Sequence, residues 1–146
     1  MGEKLNPTII QLLQERKITR FQASSEMILK EVEGARYDLD KARKSLEIGD
    51  FKWATVQAYY SIFHSARALL LSKGYREKSH RALLTAIEAL FARTGGLERE
   101  YIDSFRDAMD LRESADYGMV YSEDGARMVT LSAEEFIQKV ETILGL

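Results

Sequence analysis

The segment from Phe51 to Leu71 constrains the fold more than any other part of the chain. Fourteen of its 21 residues are apolar or aromatic, and at about 100° per residue they lie nearly all round a helix. A helix with that composition is stable only when other helices cover it on several sides. The segment therefore predicts a central helix, from Phe51 to about Ser72, in a bundle or at a contact between subunits.

The residues before this central helix have the spacing of a long packing seam. From about Arg20 to Ile48, apolar residues recur at intervals of four and three, at Ile28, Val32, Ala35, Leu39, Ala42 and Leu46. That spacing favours lengthwise packing against a second helix. Gly49 predicts the end of this helix and Asp50 an N-cap for the next one, so only a very short turn joins the two.

Four further helices are predicted around these two, each from an apolar periodicity and a capping signal. Their predicted bounds are Pro7 to about Lys17, Ser79 to about Arg93, Glu98 to about Asp116, and Ser122 to about Ile143. No strand, repeat or interdomain linker is predicted. The sequence thus predicts an all-α, up-and-down bundle of five to six helices in a single domain, residues 1–146. Residues 1–19 form a short N-terminal helix or extension, and residues 20–146 form the core bundle.

The composition excludes several classes of function. The formal net charge is only −2, so no long-range positive field points to nucleic acid, although a local patch stays open. The chain has no Cys and only two His, which excludes disulfides, thiolate catalysis and a His-rich metal site. We predict neither a metal nor a cofactor. The N-terminal residues lack an apolar signal core and no apolar run approaches a membrane span, so a cytoplasmic location is expected.

Arg112 stands out on the fifth predicted helix, in the stretch LRESADYG. It shares one helical stripe with apolar Phe105 and Ala108, whereas Asp103 and Asp107 lie on the opposite, solvated side. An inward Arg needs a partner, and Asp116 lies one turn later. Two interpretations remain open: a structural ion pair at the helix end, or an Arg that faces an anion in a groove.

Two other places carry groups that can bind or react. Tyr60, His64 and Arg67 share one side of the central helix and line either a polar pocket or a satisfied polar cluster in the core. His80 and Arg81 open the fourth helix, where free N–H groups and positive potential suit a phosphate, or where they serve only as capping and surface groups. The preceding connector, KGYREKSHR, has a basic bias.

The order of these motifs resembles the HEPN domain family over roughly residues 20–143. The resemblance rests on WATVQAYYSIFHSARALLLSKGYREKSHRALLTAIEAL, from Trp53 to Leu90, and on DLRESADYG followed by YSEDGA. Its most specific pieces are Tyr59-Tyr60, the run from Phe63 to Arg67, Ser79-His80-Arg81, and Arg112 with Ala115-Asp116-Tyr117. The resemblance implies a bundle built on two long antiparallel helices, usually as a homodimer. It also implies association with a minimal nucleotidyltransferase in a toxin–antitoxin-like module.

Some branches of the family are metal-independent ribonucleases that use an Arg followed, after four to six residues, by a His. This chain departs from that pattern: Tyr117, Gly118 and Met119 follow Arg112 at those positions, and no His occurs after His80. No catalytic residue is therefore assigned. The site hypothesis is a set of nucleotide- or anion-binding residues, namely Tyr60, His64, Arg67, His80, Arg81, Arg112, Asp116 and Tyr117.

The leading functional hypothesis is a non-catalytic homodimer that binds a nucleotide or RNA-like anion, a nucleotidyltransferase-type partner, or both. One alternative is a divergent ribonuclease that uses His64 or His80 in place of the absent histidine. The other is a purely structural dimerisation or adaptor module. The sequence itself does not choose among them.

Overall fold

The computed structural model of the chain describes residues 6–146. Its described part contains six helices, α1 (Pro7–Gln14), α2 (Ser25–Glu47), α3 (Phe51–Ser72), α4 (His80–Phe91), α5 (Arg99–Tyr117) and α6 (Glu123–Leu144). Two strands of three residues each, β1 (Ile18–Arg20) and β2 (Tyr75–Glu77), complete the fold. The predicted all-α bundle is confirmed.

α2 and α3 form a long antiparallel pair joined by a three-residue turn. The predicted seam is the contact, because Val32, Ala35, Leu39 and Ala42 of α2 are buried. Small polar side chains let the helices approach closely: Ser61 Oγ donates a hydrogen bond of 2.8 Å to the Ala35 carbonyl. Gly49 has a φ of +76°, which suits glycine, and it ends α2 where the sequence predicted.

α3 is the centre of the bundle, as its composition predicted. Fourteen of its 22 residues are buried, and α2, α4, α5 and α6 all pack against it. A polar stripe on α3, formed by Gln57, Ser61 and His64, faces α2 of the same chain. Ser61 bonds Ala35 as described, and His64 Nδ1 lies 2.8 Å from Glu31 Oε2.

Two ion pairs show how α6 lies against α2. Arg43 contacts Glu134 at 3.1 Å, and Arg36 contacts Glu141 at 2.8 Å. From the first pair to the second, the residue number falls in α2, from 43 to 36, and rises in α6, from 134 to 141. The two helices are therefore antiparallel. The four side chains are between 26% and 46% exposed, so solvent screens these pairs and they fix orientation more than they add stability. The apolar face of α6, with Phe136 and Val140, supplies the energetic contact.

The helix starts follow the capping signals in the sequence. Asn6, Asp50, Ser79 and Ser122 each accept a hydrogen bond from a backbone N–H in the first turn of the helix that follows. Ser24, which was not predicted as a cap, starts α2 in the same way. α2 therefore begins at Ser25 rather than near Arg20.

The prediction that the chain has no strand is wrong. β1 and β2 pair antiparallel, with Ile18 opposite Glu77, Thr19 opposite Arg76 and Arg20 opposite Tyr75. Both strands are too short for an alternating apolar pattern, so periodicity gives no signal for them. α1 also ends at Gln14, three residues before the predicted end at Lys17, since Arg16 takes a φ of +58° and turns the chain into β1.

The N-terminal segment packs on the same core as the later helices. Ile9 and Leu12 of α1, together with Ile18 of β1, belong to the main cluster of buried apolar residues. Asn6 Nδ2 also donates a hydrogen bond of 3.2 Å to the Ala89 carbonyl of α4. None of the helices within residues 6–146 is both long and apolar enough to cross a membrane.

Two glycines provide a matched test of this packing. A Cβ added to Gly34, inside α2, meets His64 Cγ at 3.9 Å, an ordinary contact, whereas a Cβ on Gly95 lies 2.5 Å from Phe91 Cα. We expect Gly34→Ala to raise the free energy of unfolding by about 1 kcal/mol through helix propensity. Gly95→Ala should lower it by about 1–3 kcal/mol through the clash. Urea unfolding followed by circular dichroism measures both, and a stabilised Gly95→Ala would contradict the described turn.

Candidate functional site

Arg112 lies on the buried face of α5, with 7% of the residue exposed. Three tyrosine rings surround its guanidinium. The Cζ atom lies 5.0 Å from the ring centre of Tyr59, 5.8 Å from that of Tyr60 and 5.7 Å from that of Tyr117. The negative faces of aromatic rings attract a cation at such distances, which explains how the charge is tolerated at this depth.

The hydrogen bonding of Arg112 is incomplete. Its Nε is buried and has no hydrogen-bond partner among residues 6–146. The predicted partner, Asp116, is near, but the closest approach of Arg112 Nη1 to its Oδ2 is 3.8 Å, which is longer than a hydrogen bond. A buried N–H without a partner costs about 1–3 kcal/mol. An acceptor from outside the chain that reached this N–H, after a shift of the neighbouring side chains, would recover that energy.

His80, at the start of α4, belongs to the same cluster. Its Nδ1 lies 2.6 Å from the Tyr59 hydroxyl, and its ring stacks on Phe63 with 4.3 Å between the ring centres. Burial lowers the pKa of His80 below its ordinary value of 6.5, and the positive charges of Arg112 and Arg67 lower it further. Burial raises the pKa of Tyr59. At neutral pH, therefore, a neutral imidazole faces a protonated phenol.

His64 and Arg67 form a second cluster with carboxylates of α2 and β2. His64 Nδ1 contacts Glu31 at 2.8 Å and its Nε2 approaches Asp38 at 3.5 Å. Arg67 binds Glu77 through Nε and Nη2, at 2.8 and 2.6 Å. This cluster joins α2 to α3 and β2 to α3, and the Arg67 guanidinium already has carboxylate partners. Glu77 Oε1 is buried and has no hydrogen-bond partner among residues 6–146. Because the His64 ring and the Arg67 guanidinium both contact carboxylates, the cluster fits a structural polar cluster better than an open pocket.

The structure thus divides the predicted site residues into two groups. Tyr60, His80, Arg112, Asp116 and Tyr117 come together around Tyr59, and this set is called the Arg112 cluster below. His64 and Arg67 lie in the paired cluster, which touches the first through Tyr60 and Phe63. Arg81 stays on the surface, 3.7 Å from Glu113. Within residues 6–146, no group of three or more His, Asp or Glu side chains is arranged to hold a metal ion.

A comparison with known families decides the identity of the domain. The sequence profile of the HEPN domain matches residues 29–144. The chain belongs to the HEPN domain family.

Relatives of this HEPN chain share its sequence over most of their length, and one solved structure shares its architecture. A UPF0332 protein of Archaeoglobus fulgidus is 35% identical over 102 residues, which are 68% of this chain and 81% of that protein. The "Putative toxin MJ0605" of Methanocaldococcus jannaschii is 32% identical over 114 residues, 77% of this chain and 85% of that protein. The crystal structure of TT1696 from Thermus thermophilus covers 80% of this chain and 97% of that one, with a TM-score of 0.69 and 18% identity. That structure shares the fold.

Sequence reasoning missed several residues of this HEPN site. Tyr59 is not among the predicted binding residues, yet it links His80 to Arg112. Glu31 and Glu77 had no assigned role, yet they neutralise His64 and Arg67. A signal for Tyr59 existed in the sequence, since Tyr59, Phe63 and Arg67 recur every four residues on α3. The sequence contains no signal for Glu31. The side chain that Glu31 contacts depends on how α2 is rotated about its own axis in the packed bundle.

The pKa of His80 can be measured directly, because the chain has only two histidines. We expect the NMR titration midpoint of His80 to lie below 6.5, and to rise in Arg112→Gln, where a neighbouring positive charge is lost. The lowered pKa also means that the stability contributed by neutral His80 is complete above pH 6.5. It declines as the pH falls from 6.5 through the lowered value, because the unfolded chain then binds the proton more readily. A midpoint at or above 6.5 in the unsubstituted chain would contradict the described burial.

Proposed function

We propose that this HEPN chain is a phosphate-binding component of a toxin–antitoxin-like module, acting as a homodimer beside a nucleotidyltransferase-type partner. The observation that carries the proposal is the buried Nε of Arg112, which has no acceptor among residues 6–146, with the nearest carboxylate oxygen 3.8 Å from the guanidinium. A guanidinium that is held by aromatic rings, with no carboxylate oxygen within hydrogen-bond distance, suits phosphate oxygens as additional acceptors. A nucleotide or an RNA phosphate supplies such oxygens.

The residues around Arg112 favour an anion over a neutral ligand. The guanidinium of Arg112 is the positive charge that an anion would meet, and the neutral ring of His80 adds a polar contact to Tyr59 in the same cluster. Tyr117 is 79% exposed while it contacts Arg112, so it offers a ring face beside the charge. Phosphate on the guanidinium and a base against an aromatic ring is a common way to hold a nucleotide. The relative with the name "Putative toxin MJ0605" supports the toxin–antitoxin part of the proposal.

The segment after α5 supports the partner-binding half of the proposal. Tyr117, Met119, Val120 and Tyr121 are 79%, 62%, 67% and 47% exposed, an unusual density of large apolar groups on a free surface. Met119 also takes a φ of +55°, a strained conformation for a non-glycine residue. The segment adjoins Arg112, so a second subunit or a partner protein docked there would border the same cluster.

Calorimetry with AMP and with inorganic phosphate, at low salt, tests the phosphate site. We expect Arg112→Gln to weaken binding at least tenfold, since it removes the charge and the fork, and Arg112→Lys to restore part of the loss. Arg106→Gln is the matched control, because Arg106 lies on the same helix but is committed to surface carboxylates. Sedimentation equilibrium on the same samples measures the dimer. Undetectable binding of both ligands to the unsubstituted dimer would refute the phosphate site.

His80 favours one alternative, a ribonuclease that lacks the usual family motif. A general base needs a lone pair on nitrogen that no other group has taken. In the tautomer of His80 whose Nδ1–H donates to the Tyr59 oxygen, Nε2 carries that lone pair. His80 would take the proton of a ribose 2′-hydroxyl, the 2′-oxygen would attack the neighbouring phosphorus, and the bond from phosphorus to the 5′-oxygen would break. Arg112 would stabilise charge on the phosphate, and the leaving 5′-oxygen would take the proton back from His80. His64 is a weaker candidate, because both of its nitrogens face carboxylates.

A fluorogenic RNA substrate separates this alternative from the binding role. The ribonuclease predicts cleavage that is lost, by at least about a hundredfold, in both His80→Asn and Arg112→Gln, because base and phosphate group act together. His64→Asn should retain the activity and serves as the control. Cleavage that survives both substitutions would come from a contaminant and would exclude the alternative.

A further inference from the structure

The two-stranded ribbon gathers basic side chains that are distant in sequence. Its hydrogen-bond ladder extends beyond the strands: the Lys78 amide donates to the Lys17 carbonyl, and the Phe21 amide donates to the Gly74 carbonyl, each at 2.9 Å. Since Ile18 pairs with Glu77, the next residues outward, Lys17 and Lys78, lie opposite each other. The ribbon thus places one lysine of the N-terminal segment directly against one of the connector.

One face of the ribbon is basic. Ile18 and Glu77 turn inward and are buried, so their neighbours along each strand point outward. Lys17, Arg76 and Lys78 are all exposed, and the Arg76 guanidinium lies 5.3 Å from the ring centre of partly exposed Phe21. These four residues, Lys17, Phe21, Arg76 and Lys78, are called the basic ribbon face below.

The charge of this face is poorly balanced within the chain. Glu15 contacts Lys17 at 3.3 Å, whereas Glu77 points inward and is bound by Arg67. Like charges placed opposite each other on paired strands destabilise the pairing. Repulsion between Lys17 and Lys78 therefore destabilises the pairing of the two strands. These positive charges lie together although the net charge of the whole chain is negative. A polyanion bound across the face would reverse that repulsion.

We propose that the basic ribbon face binds the phosphate backbone of single-stranded nucleic acid. Alternate residues on a strand are about 6.6 Å apart, so Arg76 and Lys78 form a row, which suits a chain of repeated phosphates better than a single anion. The ring of Phe21 gives a base a surface to stack on, and Arg76 adds a planar cation beside it. An acidic protein segment has the charge but gains nothing from this stacking surface.

The face is a separate surface from the Arg112 cluster, although the two are connected. β2 leads through Lys78 and Ser79 into His80. Beside the ribbon, a groove of about 270 Å³ is lined by Lys17, Ser79 and Arg81 on one side and by α1 on the other. A nucleic-acid strand bound to the ribbon would therefore continue past the first residues of α4. The match to the HEPN domain begins at residue 29. β1 and the preceding Lys17 therefore lie outside the matched residues.

Fluorescence anisotropy with labelled RNA and DNA strands of about 12 nucleotides tests the proposal across a series of salt concentrations. Each cation that contacts a phosphate of a single strand contributes about 0.7 to the slope of log K against log salt. We expect the magnitude of that slope to fall by about 2 in the triple variant Lys17→Gln, Arg76→Gln, Lys78→Gln. Phe21→Leu should weaken binding about fivefold or more with the slope unchanged. Lys44→Gln, at a surface lysine of α2, is the control for the loss of one positive charge away from the ribbon.

Three results would overturn the proposal: no strand binding at low salt, an unchanged slope in the triple variant, or equal competition by polyglutamate, which would indicate an acidic protein partner. Lys78→Glu adds a check on folding. It places opposite charges across the ribbon and should leave stability unchanged or higher while strand binding falls. The Arg112 site is tested independently, because AMP binding should be lost in Arg112→Gln and retained in the triple ribbon variant.

Discussion

The burial of α3 on nearly all sides is the constraint on which the rest of the structure depends. Its apolar residues are stabilised only if α2, α5 and α6 cover them together, so the remaining helices are arranged around this one. A central helix has no solvated side on which to place its polar groups. Each polar group of α3 must therefore be matched by a group from a neighbouring element, which is why α2 and β2 carry Glu31 and Glu77 at these contacts.

The two polar clusters along α3 differ in how well that matching succeeds. Around His64 and Arg67 carboxylate oxygens lie within hydrogen-bond range of the ring and of the guanidinium, although buried Glu77 Oε1 has no partner among residues 6–146. Around Arg112 the neighbours are aromatic rings, which attract the charge but accept few hydrogen bonds. Structural ion pairs usually look like the first arrangement. The second leaves a buried donor open, and natural structures tolerate such donors mainly where something else completes them.

The helices could be predicted from the sequence because their signals are local. Periodicity along α2 and caps such as Asp50 and Ser122 depend on residues within one or two turns. The inward direction of Arg112 also followed from its helical stripe. The hydrogen bond between Tyr59 and His80 could not be predicted, because it joins residues 21 apart through the docking of α4. The ribbon was missed for the same reason, since neither strand has a pattern until it meets the other.

The absence of a histidine after Arg112 has a different meaning once the packing is known. In the sequence it removes the ribonuclease motif, because no histidine follows Arg112. In the fold, α4 brings His80 to Tyr59, whose ring also contacts Arg112, so a titratable group stands beside the arginine without sharing its helix. A motif defined by spacing along one helix cannot detect such an arrangement. Whether the site binds or cleaves is therefore decided by whether His80 Nε2 and the Arg112 guanidinium can reach the same phosphate.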